Sequence, residues 1–385
     1  MVNNQKFLNV VVMIIVLSLS TFNCYAQETS TEDIALGKEY LKEGKNEKAF
    51  NEFNKAVELD PNNARSYFNR GVMFDHFGKY DQAISDLNKA AELNPNEIKI
   101  YLYRGLAKRH NGDLDQALSD FEKALDINPN LPRAYESIGI IDVIKGRYDQ
   151  AIADYSKGIK LKTTDAELYY NRGKAYEKKG NLELSIADLS KAIELKPNYI
   201  RAYVDRGLAY ENMGKNDQAI SDYNKLIEIN PTISEAYNNR GNNYIIKGDY
   251  DLAISDLNKA IKLTPNFVMA HINRGNAYFD KGLYEQSIFD YSKAIEISPK
   301  SALGYIDRER SLNKLGKLDE AVVDGNKAIE LEPNFWGSYY NRAETFYLEK
   351  EYDKAWQDIY KIESLNGKID STFLENLKKA SGRDK

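Results

Sequence analysis

The sequence has 385 residues, 53 basic and 58 acidic side chains, a formal charge of −5, one Cys and three His. A hydrophobic fraction of 42% with 11% aromatics belongs to a folding chain, and the length allows two or three ordinary domains or one elongated array. The acidic balance argues against nucleic acid as the main partner; one Cys excludes a disulfide framework and a Cys-based zinc site, and three His leave little room for metal or His-driven chemistry.

Residues 1–26 read differently from the rest. Lys6 supplies positive charge, Phe7 to Phe22 is largely apolar, and Cys24 and Ala26 occupy the −3 and −1 places of a small-x-small cleavage site before Gln27. This pattern predicts a secretory signal peptide and an exported, periplasmic or extracellular mature protein. Cys24 has a second reading as the acylated Cys of a lipoprotein, although Thr21 and Asn23 suit such a signal poorly. Membrane association is expected only if Cys24 is acylated or the segment is retained as an anchor.

From residue 30 to 369 the chain repeats every 34 residues, without insertion or deletion. The ten copies begin at Ser30, Ala64, Ile98, Pro132, Ala166, Ile200, Ser234, Val268, Ala302 and Trp336. Position 8 is Gly in the first eight copies, then Glu309 and Ala343. Position 15 is Gly in nine, with Lys350 the exception. Position 20 is always Ala or Ser, position 24 is usually large and apolar but Gly325 in copy nine, and position 32 is Pro in eight copies. Two helical segments per unit, broken near positions 15 and 32, follow from this punctuation. After the last copy, Ser371 to Ala380 is expected to form one more helix, apolar at Phe373, Leu374 and Leu377, so that 370–385 holds a capping helix and tail.

With Tyr67, Gly71, Phe74, Ala83, Leu87, Ala90 and Pro95 as a representative set, the pattern resembles the tetratricopeptide repeat family. The resemblance implies an all-α, right-handed superhelical solenoid of helix-turn-helix units. It also implies that the first helix of each unit lines a concave groove where peptides bind.

Arg stands at position 7 in eight copies and Asp at position 23 in nine, with Lys at position 26 in all ten. Across an antiparallel hairpin positions 7 and 23 lie opposite, so these charges read as a structural ion pair rather than a recognition ladder. Copy four has Ile138 at position 7, and Asp154 is expected to borrow an Arg from an adjacent copy. The Tyr residues of position 4 read as core, as does His271 in their place. His76 and His110 share position 13 of adjacent copies, too far apart for one metal, and read as a solvated face with Asp75 only a neighbour.

Function is expected on the first-helix surface. Position 6 carries Asn69, Asn171, Asn239, Asn273 and Asn341, amides able to hold an extended peptide backbone; an ordinary polar exposed position is the alternative. Position 2 carries Arg65, Lys99, Arg133 and Arg201, with Arg109 and Lys174 close by. Toward the C-terminus an apolar row follows, with Ile245, Ile246, Met269, Ile272, Phe279, Leu303, Ile306, Tyr340, Tyr347 and Leu348. The expected ligand has an acidic end near copies two to four and apolar anchors near copies seven to ten. No P-loop, nucleophile elbow, metal-ligand set or dinucleotide fingerprint occurs, so no cofactor and no enzymatic activity are expected. The reading is an exported adaptor for protein or peptide partners. Its alternative is a structural component of a cell-envelope complex, contacting partners by the convex face or the ends.

Overall fold

The structure, a computed structural model, describes residues 27–383; the expected signal peptide and Cys24 lie outside them. Among the described residues all regular structure is helical. The chain forms two compact units, one ending at Leu195 and one beginning at Lys196. The first holds five helix pairs, from 27–42 with Asn46–Leu59 to Ala166–Lys178 with Leu182–Leu195. The second holds five more, from Ile200–Asn212 with Asn216–Ile229 to Trp336–Leu348 with Tyr352–Ser364, and a last helix, Ser371–Ser381.

The breaks fall where the turn chemistry demands them. Each first helix ends one or two residues before position 15, which takes a left-handed backbone in every copy. In copy two, Gly78 N–H donates to the Asp75 carbonyl and Lys79 N–H to the Phe74 carbonyl, closing the last turn. Lys350 keeps the same pair of bonds at φ 65°, a conformation that Gly would adopt at lower cost.

Inside each pair the two helices nearly touch. A Cβ at Gly275 would lie 2.5 Å from the Tyr291 ring, so the position-24 side chain occupies the space above the position-8 backbone. Copy nine inverts this arrangement. Gly325 stands where the large side chain belongs, and the Glu309 carboxylate fills the space instead; a Cβ at Gly325 would meet Glu309 Oε1 at 2.7 Å. Copy ten uses a third solution, Ala343 beneath Ile359, both fully buried.

The expected ion pair forms in all eight copies that have the Arg. Arg Nε and an Nη each donate to one Asp oxygen, at 2.5–2.9 Å, from Arg70–Asp86 to Arg342–Asp358. The free Nη reaches position 25 of the preceding copy: Arg274 to Asn258, Arg308 to Ser292, Arg342 to Asn326. The fork therefore joins the two helices of one copy and ties that copy to its neighbour. Asp154 does not borrow an Arg; Lys157, one helical turn along, takes the vacant role at 2.8 Å. Lys55 does the same for Glu52 in copy one. Where an Arg is present, the equivalent Lys turns the other way, as in Lys89–Glu92 and Lys225–Glu228.

A second ladder runs along the edge, from position 14 of one copy to position 18 of the copy before: Lys145–Asp115, Lys179–Asp149, Lys247–Asp217 and Lys281–Asp251. Arg383 repeats this rung on Asp353. The helix Ser371–Ser381 thus sits in the register of a further first helix, with Phe373 and Leu377 buried against Tyr339, Trp356 and Ile359.

Arg240→Met should destabilise its pair of helices by about 3 kcal/mol, because Asp256 is left charged and buried, while Arg240→Met/Asp256→Leu recovers most of the loss. Hydrogen exchange of Ser234–Lys247 and Tyr250–Leu263 reads both outcomes. In copy nine, burial holds the Glu309 carboxyl well above its ordinary value; the Thr345 hydroxyl and Arg342 oppose this, and Asp324 and Asp358 add to it. Its contribution is therefore full below about pH 4.5 and declines as pH rises. Glu309→Gln should remove that decline in the exchange rates of Ala302–Lys314. Gly325→Leu alone should cost about 1–3 kcal/mol by overpacking, and Glu309→Gly/Gly325→Leu should restore the wild-type value.

Candidate functional site

The first helices of both units leave clefts open on the same repeat positions. In the N-terminal unit a cleft of about 680 Å³ spans copies one to four. Its apolar floor is Phe68, Leu102 and Tyr103, with the Phe68 and Tyr103 rings edge to face at 5.3 Å. Lys38, Arg65, Lys99 and Arg133 surround it, and all four are exposed. Three of the four cations singled out from position 2 are thus brought to one place, while the fourth, Arg201, lies on Tyr199. Lys38, at position 9, is a fourth that the sequence reading did not include. Glu97 is the one acid lining this cleft, and its carboxylate accepts the Lys99 backbone N–H at the start of the helix.

In the C-terminal unit two adjoining clefts, about 380 and 560 Å³, share Phe279 and Arg310. Ile245, Met269 and Leu303 line the first; Tyr347, Leu348 and Phe373 line the second. Met269 and Leu303 are 44% and 39% exposed. Phe279 is half-buried, and the Arg310 guanidinium lies 4.6 Å from its ring centre. Ile272 also lines the first of these clefts, but at 2% exposure it is packed on Tyr291 and Ala294 rather than standing exposed as expected. Position 5 faces the following copy, whose position-6 amide reaches it in Asn171–Glu136 and Asn273–Asn238.

The position-6 amides are largely engaged within the protein. Asn273 is buried, 8% exposed, and donates to Asn238 Oδ1 at 3.0 Å. Asn171 donates to Glu136, Asn341 to the Ile306 carbonyl, and Asn69 to the Arg65 carbonyl of its own helix. Asn239 accepts from Asn238. Three of these bonds share one offset, 35 residues, which is one repeat and one residue: position 6 reaches position 5 of the copy before. His110 follows the same diagonal, with Nδ1 2.8 Å from Asp75 Oδ1, so Asp75 is its partner rather than a bystander. His76 Nε2 meets the Asn46 amide. Polar residues 35 rather than 34 apart mark the Asn171–Glu136, Asn273–Asn238 and His110–Asp75 pairs in the sequence.

Several carboxyls on this face are tuned by burial. Burial raises Glu136, although Asn171 donates to it and Arg133 and Arg109 are near. Burial also raises Glu211, against donation from Asn243 and from the Tyr223 hydroxyl. Asp307, lining the C-terminal cleft beside Arg310, is pushed up to about 6, again by burial first. The position-4 Tyr rings lie half or fully buried beneath the position-7 Arg groups, as in Tyr101 under Arg104, except in copy four, where Lys157 lies over Tyr135. His271 substitutes fully for Tyr: it is buried, its Nε2 lies 3.1 Å from the Pro265 carbonyl, and its Nδ1 faces Asp290. Among the described residues no group of three or more His, Cys, Asp or Glu could hold a metal ion, and no helix is long and apolar enough to cross a membrane.

These features define an all-helical repeat solenoid with clefts on its first helices. Tetratricopeptide repeat models match residues 64–97, 98–131, 166–199, 200–233 and 268–301, on the repeat frame found above, and also 222–255. A further model, described as TPR repeat, matches 37–74, 139–180 and 241–282. The matches cover more than half of the chain, which belongs to the tetratricopeptide repeat family. Repeats of this family generally mediate protein–protein interaction, and its members are typically non-catalytic scaffolds.

A comparison with curated proteins gives no match. Among solved structures, the Cut9–Hcn1 hetero-tetramer of the APC/C is similar over 94% of both chains at 14% identity and a TM-score of 0.50. YrrB, described as a TPR protein with an unusual peptide-binding site, is 27% identical over 48% of this chain and 95% of its own, with a TM-score of 0.43. A tetratricopeptide repeat protein from Parabacteroides merdae is 21% identical over 65% and 98%, with a TM-score of 0.49.

Asp307 supplies a direct test of the C-terminal cleft. Its folded-state value lies above the ordinary one, so its contribution to stability is full below about pH 3.8 and is lost as pH rises through about 6. Carboxyl NMR should show a midpoint near 6, and Asp307→Asn should raise stability at pH 8 by up to about 3 kcal/mol but not at pH 3.5.

Proposed function

We propose that this protein is an exported, non-catalytic adaptor that holds peptide or protein partners against its first-helix face. The observation carrying this reading is that clefts open on the first helices in both units, one ringed by cations and one lined by apolar side chains. Export rests on the sequence of residues 1–26 and makes the working compartment extracytoplasmic. The N-terminal cleft suits an acidic stretch of partner, and Met269, Phe279 and Leu303 suit apolar anchors.

A second reading, a structural role through the outer surface, is favoured by one local feature. Position 22, Ser or Ala in six earlier copies, becomes Phe289 and Val323 in adjacent copies, 60% and 65% exposed. Cross-linking and capture from envelope extracts separates the two. Lys99→Glu/Leu303→Asp should lose a discrete set of partners while Phe289→Ser/Val323→Ser keeps them, with helicity unchanged by circular dichroism in both. The opposite pattern would transfer function to the outer face.

A further inference from the structure

We infer that the N-terminal cleft reads spacing as well as charge: it takes an extended acidic segment whose carboxylates recur at every third residue. This deepens the partner-binding reading above and rests on it.

The starting point is how the cations of this protein are spent. The position-7 Arg groups fork onto Asp, most position-26 Lys groups pair along their helix, and four position-14 Lys groups close the edge ladder. Around the cleft this economy stops. Lys38, Arg65, Lys99 and Arg133 line it or ring it, and among the described residues none of the four is in an ion pair. Glu97, the acid of the cleft, is occupied at its helix start. An acidic protein that gathers four cations outside any ion pair, with Glu97 on the cleft and Glu136 near Arg133 as the acids beside them, keeps a surface complementary to an anion.

The arrangement narrows the anion. Arg65, Lys99 and Arg133 hold the same position in three consecutive copies, so they step forward by one stacking interval each time, and packed helix axes lie roughly 9–10 Å apart. A polyproline-II segment repeats every three residues with a rise of about 3.1 Å each, or about 9 Å, and so points every third side chain the same way. A flat strand brings side chains to one face every second residue, at about 6.6 Å, and falls out of step. The apolar floor of Phe68, Leu102 and Tyr103 lies between the cations and suits the intervening side chains. Such a segment keeps its backbone solvated and needs no free row of Asn amides, which is consistent with Asn69 and Asn171 donating within the protein.

The test uses the full chain and three labelled peptides of identical composition, with three Asp placed at every third residue, at every second residue, or together. Fluorescence anisotropy should rank the every-third peptide about tenfold tighter than either isomer, and Lys99→Glu should weaken it by at least about tenfold. Raising salt should weaken all three. Equal affinity for the isomers, or unaltered binding by a Lys99→Glu protein of native helicity, overturns the inference. A single-stranded oligonucleotide of matched charge that binds as tightly overturns the choice of a peptide. Partner capture on the same preparations separates the two levels. Isomers bound alike while Lys99→Glu/Leu303→Asp loses its partners sinks the spacing rule alone; partners retained by that variant sink the binding reading itself.

Discussion

The distance between the two helices of a pair is set by one steric exchange, the space that position 8 yields to position 24. Everything else is hung on that separation. Only at this approach can an Arg on the first helix lay both nitrogens on an Asp of the second, and only then does its remaining nitrogen reach the copy before. The fork is thus a consequence of the close approach and also its gauge. Where Ile138 removes the Arg, the spacing persists beneath Gly139 and Tyr155, and the charge on Asp154 is met by Lys157 instead. Sterics fix the geometry; the ions satisfy what the geometry leaves charged.

Much of this was legible in the sequence because the repeat multiplies each signal. A Gly seen once is ambiguous, but Gly at position 15 in nine copies marks a left-handed turn, and the fork was readable from Arg and Asp in phase. What escaped was set outside the single helix. Ile272 looked exposed on a single-helix projection but packs on Tyr291 and Ala294 of the second helix of its own pair, and Asn273 donates to Asn238 of the copy before. A helical wheel treats each copy as isolated, whereas adjacent first helices meet on a diagonal displaced by one residue. Arg65, Lys99 and Arg133 escaped this error: they stay exposed and gather around one cleft together with Lys38.

The repeats also divide labour between framework and surface. The Arg and Asp held in phase by most copies neutralise each other internally and tie the copies together. Charges that appear in only some copies, such as Arg65, Lys99 and Arg133, have no such obligation and remain free to meet another molecule. In a repeat protein, departure from the consensus is therefore a better guide to binding than the consensus itself. The same logic places Arg310 on Phe279, two residues found at their positions only once, within the C-terminal clefts.

Glu309 and Gly325 give this principle a historical edge. Units of equal length and similar sequence invite recombination, and a half-unit copied from one place to another ordinarily lands in a compatible setting. Copy nine has left that exchange. Its first helix delivered elsewhere would drive a carboxyl into an occupied ring site, and a sister helix delivered here would leave a void above Gly325. The two halves of copy nine therefore fit only each other, and neither can be exchanged alone with another copy without a clash or a void.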